Sequence, residues 1–434
     1  MTTSQVDATA GPARGAEFEP EARAFLAAHA SPKSRSRTAP VFGEGNDSVP
    51  IISDISQEEE AAAIQAARAW RRTLFDSGYG WIDGPPEYGG AGLGRDEALL
   101  FRNLEKDFDV PDQGSFLVGL AIVAPAIAVH GTPEQKDFFL KALYRGDLFA
   151  CQLFSEPGNG SDLAGIGTRA VRDGDEWVVT GQKVWNSYAQ FSDVGLLLAR
   201  TDPTAPKHQG LTMFLIDMHQ PGVEVRPLRQ MTGGAHFNEV FLSEARIPDS
   251  RRLGGVGEGW RVAITTLMSE REAVGAGDEV PPGELVARLV QLHQHTPAAS
   301  SAERERRRVA VVQTAVIARV LELTNERLIA AAGGHPGPEM SVTKLLRNQF
   351  LARLADTACA IAGPAAIADS GAWGRYTWGR ARLSLPGLRI AGGTDEIQRN
   401  ILSERVLGLP RDPSPPSAKP APAAAGSPAG SQGS

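Results

Sequence analysis

Cysteine is scarce in this chain, and its two copies lie far apart. Cys151 and Cys359 are the only cysteines among 434 residues, and neither belongs to a CxxC pair or a Cys/His cluster. A disulfide scaffold and a zinc site are therefore not predicted, and we interpret both thiols as reduced groups of the core. His293 and His295 lack acidic or thiolate neighbours in sequence, so we interpret them as solvent-facing and predict no metal site.

The sequence also lacks long apolar runs and an excess of positive charge. No stretch reaches the roughly 18 consecutive apolar residues that cross a bilayer, and the N-terminus lacks the apolar core of a signal peptide. We therefore expect a cytoplasmic protein without a membrane span. The net charge is −7, and apart from the short run RERRR at 304–308 the basic residues are dispersed. This charge distribution argues against nucleic acid as a partner.

Composition and periodicity divide the chain into three ordered segments between two tails. Apolar residues make up 42% and charged residues 22%, which is typical of globular proteins. The ends, 1–15 and 412–434, are rich in Ala, Pro, Gly and Ser and are predicted to be disordered. Apolar spacing of three and four predicts an all-α domain over 16–150, alternation predicts a β domain over 151–250, and helical spacing returns over 251–411.

Two local patterns refine this division. Thr132, Pro133 and Glu134 supply an N-cap, a first-turn proline and an acidic first turn, which together predict the start of a helix. The tract VPPGELVARLVQLHQHTPAASSAERE, which begins at Val280, has the weakest periodicity in the C-terminal segment. It is predicted to contain a loop.

The motif SEPGNGSD, residues 155–162, combines glycines with two flanking hydroxyls. Glycine allows backbone N–H groups to approach a ligand closely, so a binding turn is one interpretation. An ordinary turn between two domains is the alternative, since Gly, Asn and Ser are common turn residues.

Two further motifs follow along the chain. GQKVWNS, residues 181–187, places Trp185 on a predicted strand, where its ring could pack on a flat heterocycle beside Ser187 or simply fill the core. The closing motif is GGTDEIQRNILSERVLGLP, residues 392–410, in which two glycines and Thr394 precede an amphipathic helix. Thr394 could act there as an ordinary helix cap.

Together these motifs resemble those of the acyl-CoA dehydrogenase family. PPEYGGAGLG, SEPGNGSD, GQKVWNS, NEVFLSEARIP and the closing segment occur in that family's order and spacing, over about 60–410. The resemblance implies an α+β fold with an N-terminal helical domain, a middle β-barrel-like domain and a C-terminal four-helix bundle. It also implies FAD bound between the middle domain and the bundles of two subunits, hence a homodimer or homotetramer.

The resemblance assigns roles to individual residues. It implies substrate contacts from Ser161 and Arg271, and a flavin pyrophosphate near the positive end of the helix after Thr394, with Gly392 and Gly393 allowing close backbone approach. The implied flavin contacts are Phe154, Ser155, Gly160, Ser161, Trp185, Ser187, Thr394 and Glu396.

The family reaction needs a carboxylate that removes the α-proton of a thioester. In many members this base directly precedes the GT of the closing segment, and the corresponding residue here is Gly392. The branch typified by isovaleryl-CoA dehydrogenase has its base on the first helix of the C-terminal domain, before an arginine. The stretch GWRVAITTLMSER resembles that helix and implies Glu270 as the base, followed by Arg271. An exposed glutamate without catalytic function is the alternative.

The chain departs from the family pattern in the part of the flavin site that a partner subunit supplies. The usual Arg and Phe after the first bundle helix have no counterpart in VPPGELVARLVQLHQHTP, and Ala360 and Pro364 replace a usual Gln and Gly. These changes suggest a divergent branch, with a heteromer of related subunits as an alternative to a homomer.

Three functions remain open from sequence. The first is an FAD-dependent dehydrogenase of an acyl thioester, bound to CoA or a carrier protein, in fatty acid or lipid metabolism, with an electron-transfer flavoprotein as acceptor. The second is a flavin monooxygenase on the same fold, which needs no α-proton base, so Glu270 argues against it. The third is a non-catalytic partner subunit, which the missing cross-subunit residues would favour. The identity of the acyl chain does not follow from the sequence, because pocket volume depends on packing.

Overall fold

The computed structural model describes residues 15–33, 41–45, 47, 49, 51, 56–276, 280–331 and 337–411, with only the backbone described at 15–16 and 271–276. The tail predicted at 412–434 lies outside this part of the chain, as does the tail predicted at 1–15 except for Gly15, where the first helix begins. None of the described helices combines the length and apolarity needed to cross a bilayer.

The N-terminal part is helical, as its apolar spacing predicts. Its helices are α1 (Gly15–His29), α2 (Gln57–Asp76), α3 (Arg95–Glu105), a π-helix (Gly119–Val123) that continues into α4 (Ala124–His130), and α5 (Pro133–Arg145). Thr132 caps α5 and forms a reciprocal capping box with Gln135, so the predicted start is confirmed. The sequence analysis did not indicate α1 or the short antiparallel pair β1 (Ser31–Pro32) and β2 (Phe108–Asp109).

The middle part forms one sheet of eight strands in the order β10-β7-β6-β4-β5-β9-β8, with β3 parallel to β6. Alternation predicts five of these strands, whereas β3, β4 and β10 were not indicated. The strands are β3 (Ala150–Leu153), β4 (Arg169–Asp173), β5 (Glu176–Ser187), β6 (Val194–Arg200), β7 (Leu211–Asp217), β8 (Val223–Leu228), β9 (Phe237–Pro248) and β10 (Arg252–Leu253).

Strand β6 is buried on both faces. Leu196 and Leu198 pack into a core shared with α4 and α5, whereas Leu197 and Ala199 point to the opposite face and join the interior of the β domain. This alternation fixes the strand register, because a slip of one residue would exchange the two faces. Cys151 is free and buried in the second core, where burial raises the pKa of its thiol to about 12. Cys359 is also free and half-buried.

The C-terminal part contains α6 (Gly259–Ala276), which packs on β7, α4 and the π-helix, followed by helices that share a separate core. The helices of this bundle are α7 (Pro282–Gln294), α8 (Ser301–Ala331), α9 (Ser341–Ala362) and α10 (Tyr376–Ile390), with α11 (Asp395–Ile401) after it.

The tract from Val280 contains the predicted loop, but most of the tract is helical. Its first half is α7, which buries Leu285, Leu289 and Leu292 against the bundle core, and the irregular part covers about 295–300. Pro282 at the first helical position is a start signal that the weak periodicity obscured.

An N-terminal segment that precedes α2 crosses to the bundle and covers one end of it. Val49 enters the bundle core, and its N–H donates to Oγ1 of Thr377 at 2.9 Å. Phe42 stacks on His295 with ring centroids 4.3 Å apart. His295 is nevertheless exposed, so the prediction that it faces solvent is confirmed. His293 is half-buried, and the described residues contain no cluster of metal-ligating side chains.

Candidate active site

The side chain of Trp185 projects from an irregularity in β5. The pairing of β5 with β9 shifts between Val184 and Asn186, and Trp185 has a left-handed φ of 64°. A bulge of this kind redirects one side chain, and a bulky residue at positive φ stores strain. Trp185 is 54% exposed, and among the described aromatic rings its indole meets only Phe237, edge-on, with ring centroids 6.0 Å apart. Core packing does not account for this tryptophan.

The SEPGNGSD loop lies directly beside this bulge. The N–H of Val184 donates to the carbonyl of Ser155 at 2.9 Å, and Nδ2 of Asn186 donates to the carbonyl of Gln152 at 2.8 Å. These bonds bring the loop and Trp185 to the same edge of the sheet. The predicted residues at this edge are Phe154, Ser155, Gly160, Ser161, Trp185 and Ser187.

A buried ion pair holds the base of the loop. Lys183 is fully buried and donates to the carbonyl of Phe154 at 2.9 Å and to Oε1 of Glu156 at 2.8 Å. Glu156 also accepts the N–H groups of Gly167 and Thr168 at 2.7 and 2.8 Å. Burial of a charge is tolerated only with such compensation.

The pKa values of this pair follow from the same contacts. Burial lowers the pKa of the Lys183 ammonium to about 8, against the opposing effect of Glu156. Burial alone would raise the pKa of Glu156, but Lys183 and the donated hydrogen bonds hold it below its usual range. Both groups are therefore charged near pH 7.

The closing segment turns sharply after α10. Gly392 and Gly393 have φ values of 60° and 86°, and a methyl carbon built on Gly393 would lie 2.8 Å from Nε2 of Gln398. The backbone conformation itself therefore requires glycine. Thr394 caps α11, because its Oγ1 accepts the N–H of Ile397 at 3.2 Å. Capping thus explains Thr394 without a ligand.

A buried carboxylate anchors α11 on the bundle. Asp395 accepts from Nδ2 of Asn348 at 2.7 Å and from Nε of Arg389 at 2.8 Å. Burial alone would raise the pKa of Asp395, but Arg389 and Asn348 hold it below its usual range. Glu396, in contrast, is exposed and faces Arg399 at 3.5 Å.

Glu270 approaches the same closing turn from α6. A methyl carbon built on Gly392 would lie 3.4 Å from Oε1 of Glu270. The half-buried carboxylate of Glu270 therefore lies next to the position that a side chain at 392 would take. The two sequence positions at which the family resemblance implies a base thus meet at one point. The side chain of Arg271 lies outside the described part of the chain, so its predicted substrate contact has no structural description.

The two groups of predicted flavin residues are separate within one chain. Among the described residues, no hydrogen bond or ion pair joins Thr394 or Glu396 to the β domain, and α11 packs mainly on α9. The geometry of one chain therefore assembles the residues around Trp185 and, separately, the pair of Glu270 with the closing turn.

Comparisons with known proteins identify the family of the chain. Family models described as acyl-CoA dehydrogenase N-terminal, middle and C-terminal domains match residues 47–147, 151–244 and 257–407. The acyl-CoA dehydrogenase IpdE1 of Mycobacterium tuberculosis is 37% identical over 355 residues, which cover 81% of this chain and 90% of IpdE1. The chain belongs to the acyl-CoA dehydrogenase family. The predicted family, fold class and oxidoreductase type are thereby confirmed.

Two other relatives of this acyl-CoA dehydrogenase differ in length and assembly. FadE34 of Mycobacterium tuberculosis is 42% identical over 292 residues, which cover 66% of this chain but only 39% of FadE34. The ChsE4-ChsE5 complex of the same organism contains a similar fold, with 27% identity, a TM-score of 0.68, and coverage of 93% of this chain and 100% of that one.

The edge around Trp185 fits a flavin of this family. Its exposed indole offers a stacking surface, and methyl carbons built on Gly158 and Gly160 would meet no atom within 4 Å, so the loop tip is open to a ligand. The positions that the family resemblance assigns to the flavin of a partner subunit offer fewer groups for binding. Ala360 and Pro364 are exposed and have no side-chain donor or acceptor. The roles of individual residues stay predictions.

Proposed function

We propose that this protein catalyses the FAD-dependent α,β-dehydrogenation of an acyl thioester, with Glu270 as the base. The observation that supports the proposal most strongly is the distance of 3.4 Å between Oε1 of Glu270 and a methyl carbon built on Gly392. A carboxylate on α6 therefore lies next to residue 392, the position from which the closing segment supplies the base in many members of the family. A monooxygenase would not require this carboxylate.

Different residues of the chain would serve in binding and in proton transfer. Trp185, Ser155 and Ser161 would hold the flavin at the sheet edge, and Ser161 and Arg271 would contact the thioester. Glu270 would remove the α-proton, since an ionised carboxylate in a partly dry site is a competent general base. Bound FAD would supply the hydride acceptor for the β-hydrogen.

The electron acceptor and the acyl group belong to the same proposal. An electron-transfer flavoprotein is the proposed acceptor, CoA or a carrier protein is the proposed thioester carrier, and the cytoplasmic location stays a prediction. Short, branched, steroid-derived and polyketide acyl groups are all candidate substrates.

An anaerobic titration of the purified protein tests the proposed function. We expect a yellow protein whose flavin absorbance bleaches with at least one acyl-CoA in a panel of these acyl groups. Consumption of oxygen by the reduced flavin at catalytic rates would favour the monooxygenase. A protein that is colourless and stays so with added FAD would favour the non-catalytic partner subunit.

The bundle surface supports a proposal on assembly. Exposed apolar side chains recur every three or four residues along α8, forming one stripe of Val309, Val312, Val316, Val320 and Leu323. Beside it, Val312 and Val316 line a groove of about 490 Å³ with Gln349 and Arg353 of α9. A stripe of this length on a soluble domain marks an interface. We propose that a second copy covers it, with a related subunit, as in the ChsE4-ChsE5 complex, as the alternative.

A charge on this stripe is expected to weaken the assembly. Val316→Asp should raise the dissociation constant at least about 100-fold in light scattering, because burial of an unpaired carboxylate costs several kcal/mol. Val171→Asp on β4 is the matched control, since Val171 is exposed to a similar extent in another domain. A parent protein that is monomeric alone and with related subunits at micromolar concentration would contradict the proposal.

A further inference from the structure

Lys344, on the first turn of α9, holds the closing turn by its backbone. Its Nζ donates hydrogen bonds to the carbonyl oxygens of Ala391 and Gly393, the two residues that flank Gly392. Nε2 of Gln398 donates to the carbonyl of Gly392 at 3.0 Å. Each carbonyl from 391 to 393 therefore accepts a hydrogen bond from a side chain, so the turn has a defined position.

The same ammonium group lies beside the proposed base. The methyl carbon built on Gly392, which lies 3.4 Å from Oε1 of Glu270, would lie 3.8 Å from Nζ of Lys344. The carboxylate and the ammonium thus approach one point from α6 and α9. A nearby cation favours the ionised form of a carboxylate, which is the form that can accept a proton. The side chains of residues 271–276 on α6 lie outside the described part.

Other charged groups near the turn have described partners of their own. Arg389 on α10 and Asp395 on α11 pair at 2.8 Å, and Glu396 faces Arg399 at 3.5 Å. The described contacts of Lys344 with the turn, together with its approach to the Gly392 position, distinguish it from these groups.

We propose that Lys344 is a positioning residue for the dehydrogenation. It holds the 391–393 turn at a fixed distance from α6, and its charge keeps Glu270 ionised. The proposal rests on the function proposed above, because it concerns the same base. It assigns no contact between Lys344 and the substrate or the flavin.

A kinetic comparison of Lys344→Met and Lys344→Arg tests this role. In anaerobic stopped-flow with excess acyl-CoA, Lys344→Met should reduce the limiting rate of flavin bleaching about 10- to 100-fold, because misplacement or protonation of a general base has an effect of this size. The apparent substrate affinity should change less than about threefold, since no binding contact is lost. The acid limb of the rate profile should move to higher pH, because less Glu270 is ionised.

Lys344→Arg keeps the charge and hydrogen bonds, so it should restore most of the rate and the parent pH profile. Lys141→Met removes an exposed lysine that pairs with Asp137 and serves as the matched control. A parent-like limiting rate and pH profile in Lys344→Met would overturn the proposal.

A thermal-unfolding cycle provides a readout that does not depend on activity. Lys344→Met should lower the unfolding midpoint by about 2–4 °C in the parent and by a smaller amount in Glu270→Gln, because the hydrogen bonds to the turn are lost in both backgrounds whereas the charge interaction with residue 270 is lost only in the parent. Equal decreases in both backgrounds would contradict an interaction between Lys344 and Glu270. If the parent does not bleach with any thioester, the proposed function fails, whereas the cycle still decides whether Lys344 interacts with Glu270.

Discussion

Glu270→Gln is expected to slow flavin reduction by a factor of about 100 or more while leaving flavin and thioester binding intact. Glutamine keeps the shape of the side chain but cannot accept the α-proton, and a general base contributes about 10²–10⁴-fold. Anaerobic stopped-flow would measure the bleaching rate, and calorimetry would measure thioester binding. Glu258→Gln, directly before α6 and paired with Arg261, is the matched control.

A second-site change makes this test specific for the position of the carboxylate. Gly392→Glu in the Glu270→Gln background should recover about a tenth of the parent rate, because its side chain would begin 3.4 Å from Oε1 of residue 270 and 3.8 Å from Nζ of Lys344. Recovery should be incomplete, since a φ of 60° costs a non-glycine residue about 1–2 kcal/mol. Rapid bleaching of Glu270→Gln itself would show that the base is another group.

The sequence was sufficient for the fold class because each segment shows a consistent period. Apolar spacing of three and four indicated α2 and α6, and alternation indicated β6 and β7, which are buried on both faces. The helix α7 was obscured, because VPPGE resembles a loop and its leucines at 285, 289 and 292 form a short stripe. Family resemblance, rather than periodicity, indicated Glu270.

The remaining parts of the candidate site depend on contacts between distant residues. Lys344 and Gly393 are separated by 49 positions, and Lys183 and Glu156 by 27. No local sequence pattern predicts such pairs, because they form only when helices and strands pack against each other. The positive φ of Trp185 also has no sequence signal, since a bulge results from the pairing of β5 with β9.

A series of substitutions at Trp185 should separate its role in flavin binding from its effect on folding. Trp185→Ala is expected to weaken FAD binding about 10- to 100-fold, since stacking of a ring on an aromatic side chain contributes about 1–3 kcal/mol. Trp185→Phe should retain much of the affinity because it keeps an aromatic surface. Fluorescence titration of the FAD-depleted protein would measure both values. Parent-like affinity in Trp185→Ala would remove Trp185 from the site.

The stability of the flavin-free variants should follow a different order. Trp185→Gly should lose as much flavin affinity as Trp185→Ala but be about 1 kcal/mol more stable, because glycine tolerates positive φ and alanine does not. Glu244, at a φ of 55° on β9, provides the control, since Glu244→Gly relieves similar strain away from the proposed flavin edge. Glu244→Gly should therefore gain stability relative to Glu244→Ala without changing flavin affinity. Equal stability of Trp185→Gly and Trp185→Ala would show that the bulge stores no strain. Greater stability of Trp185→Gly would mean that the native fold retains a strained backbone at Trp185, and that this strain accompanies the exposure of the indole for a ligand.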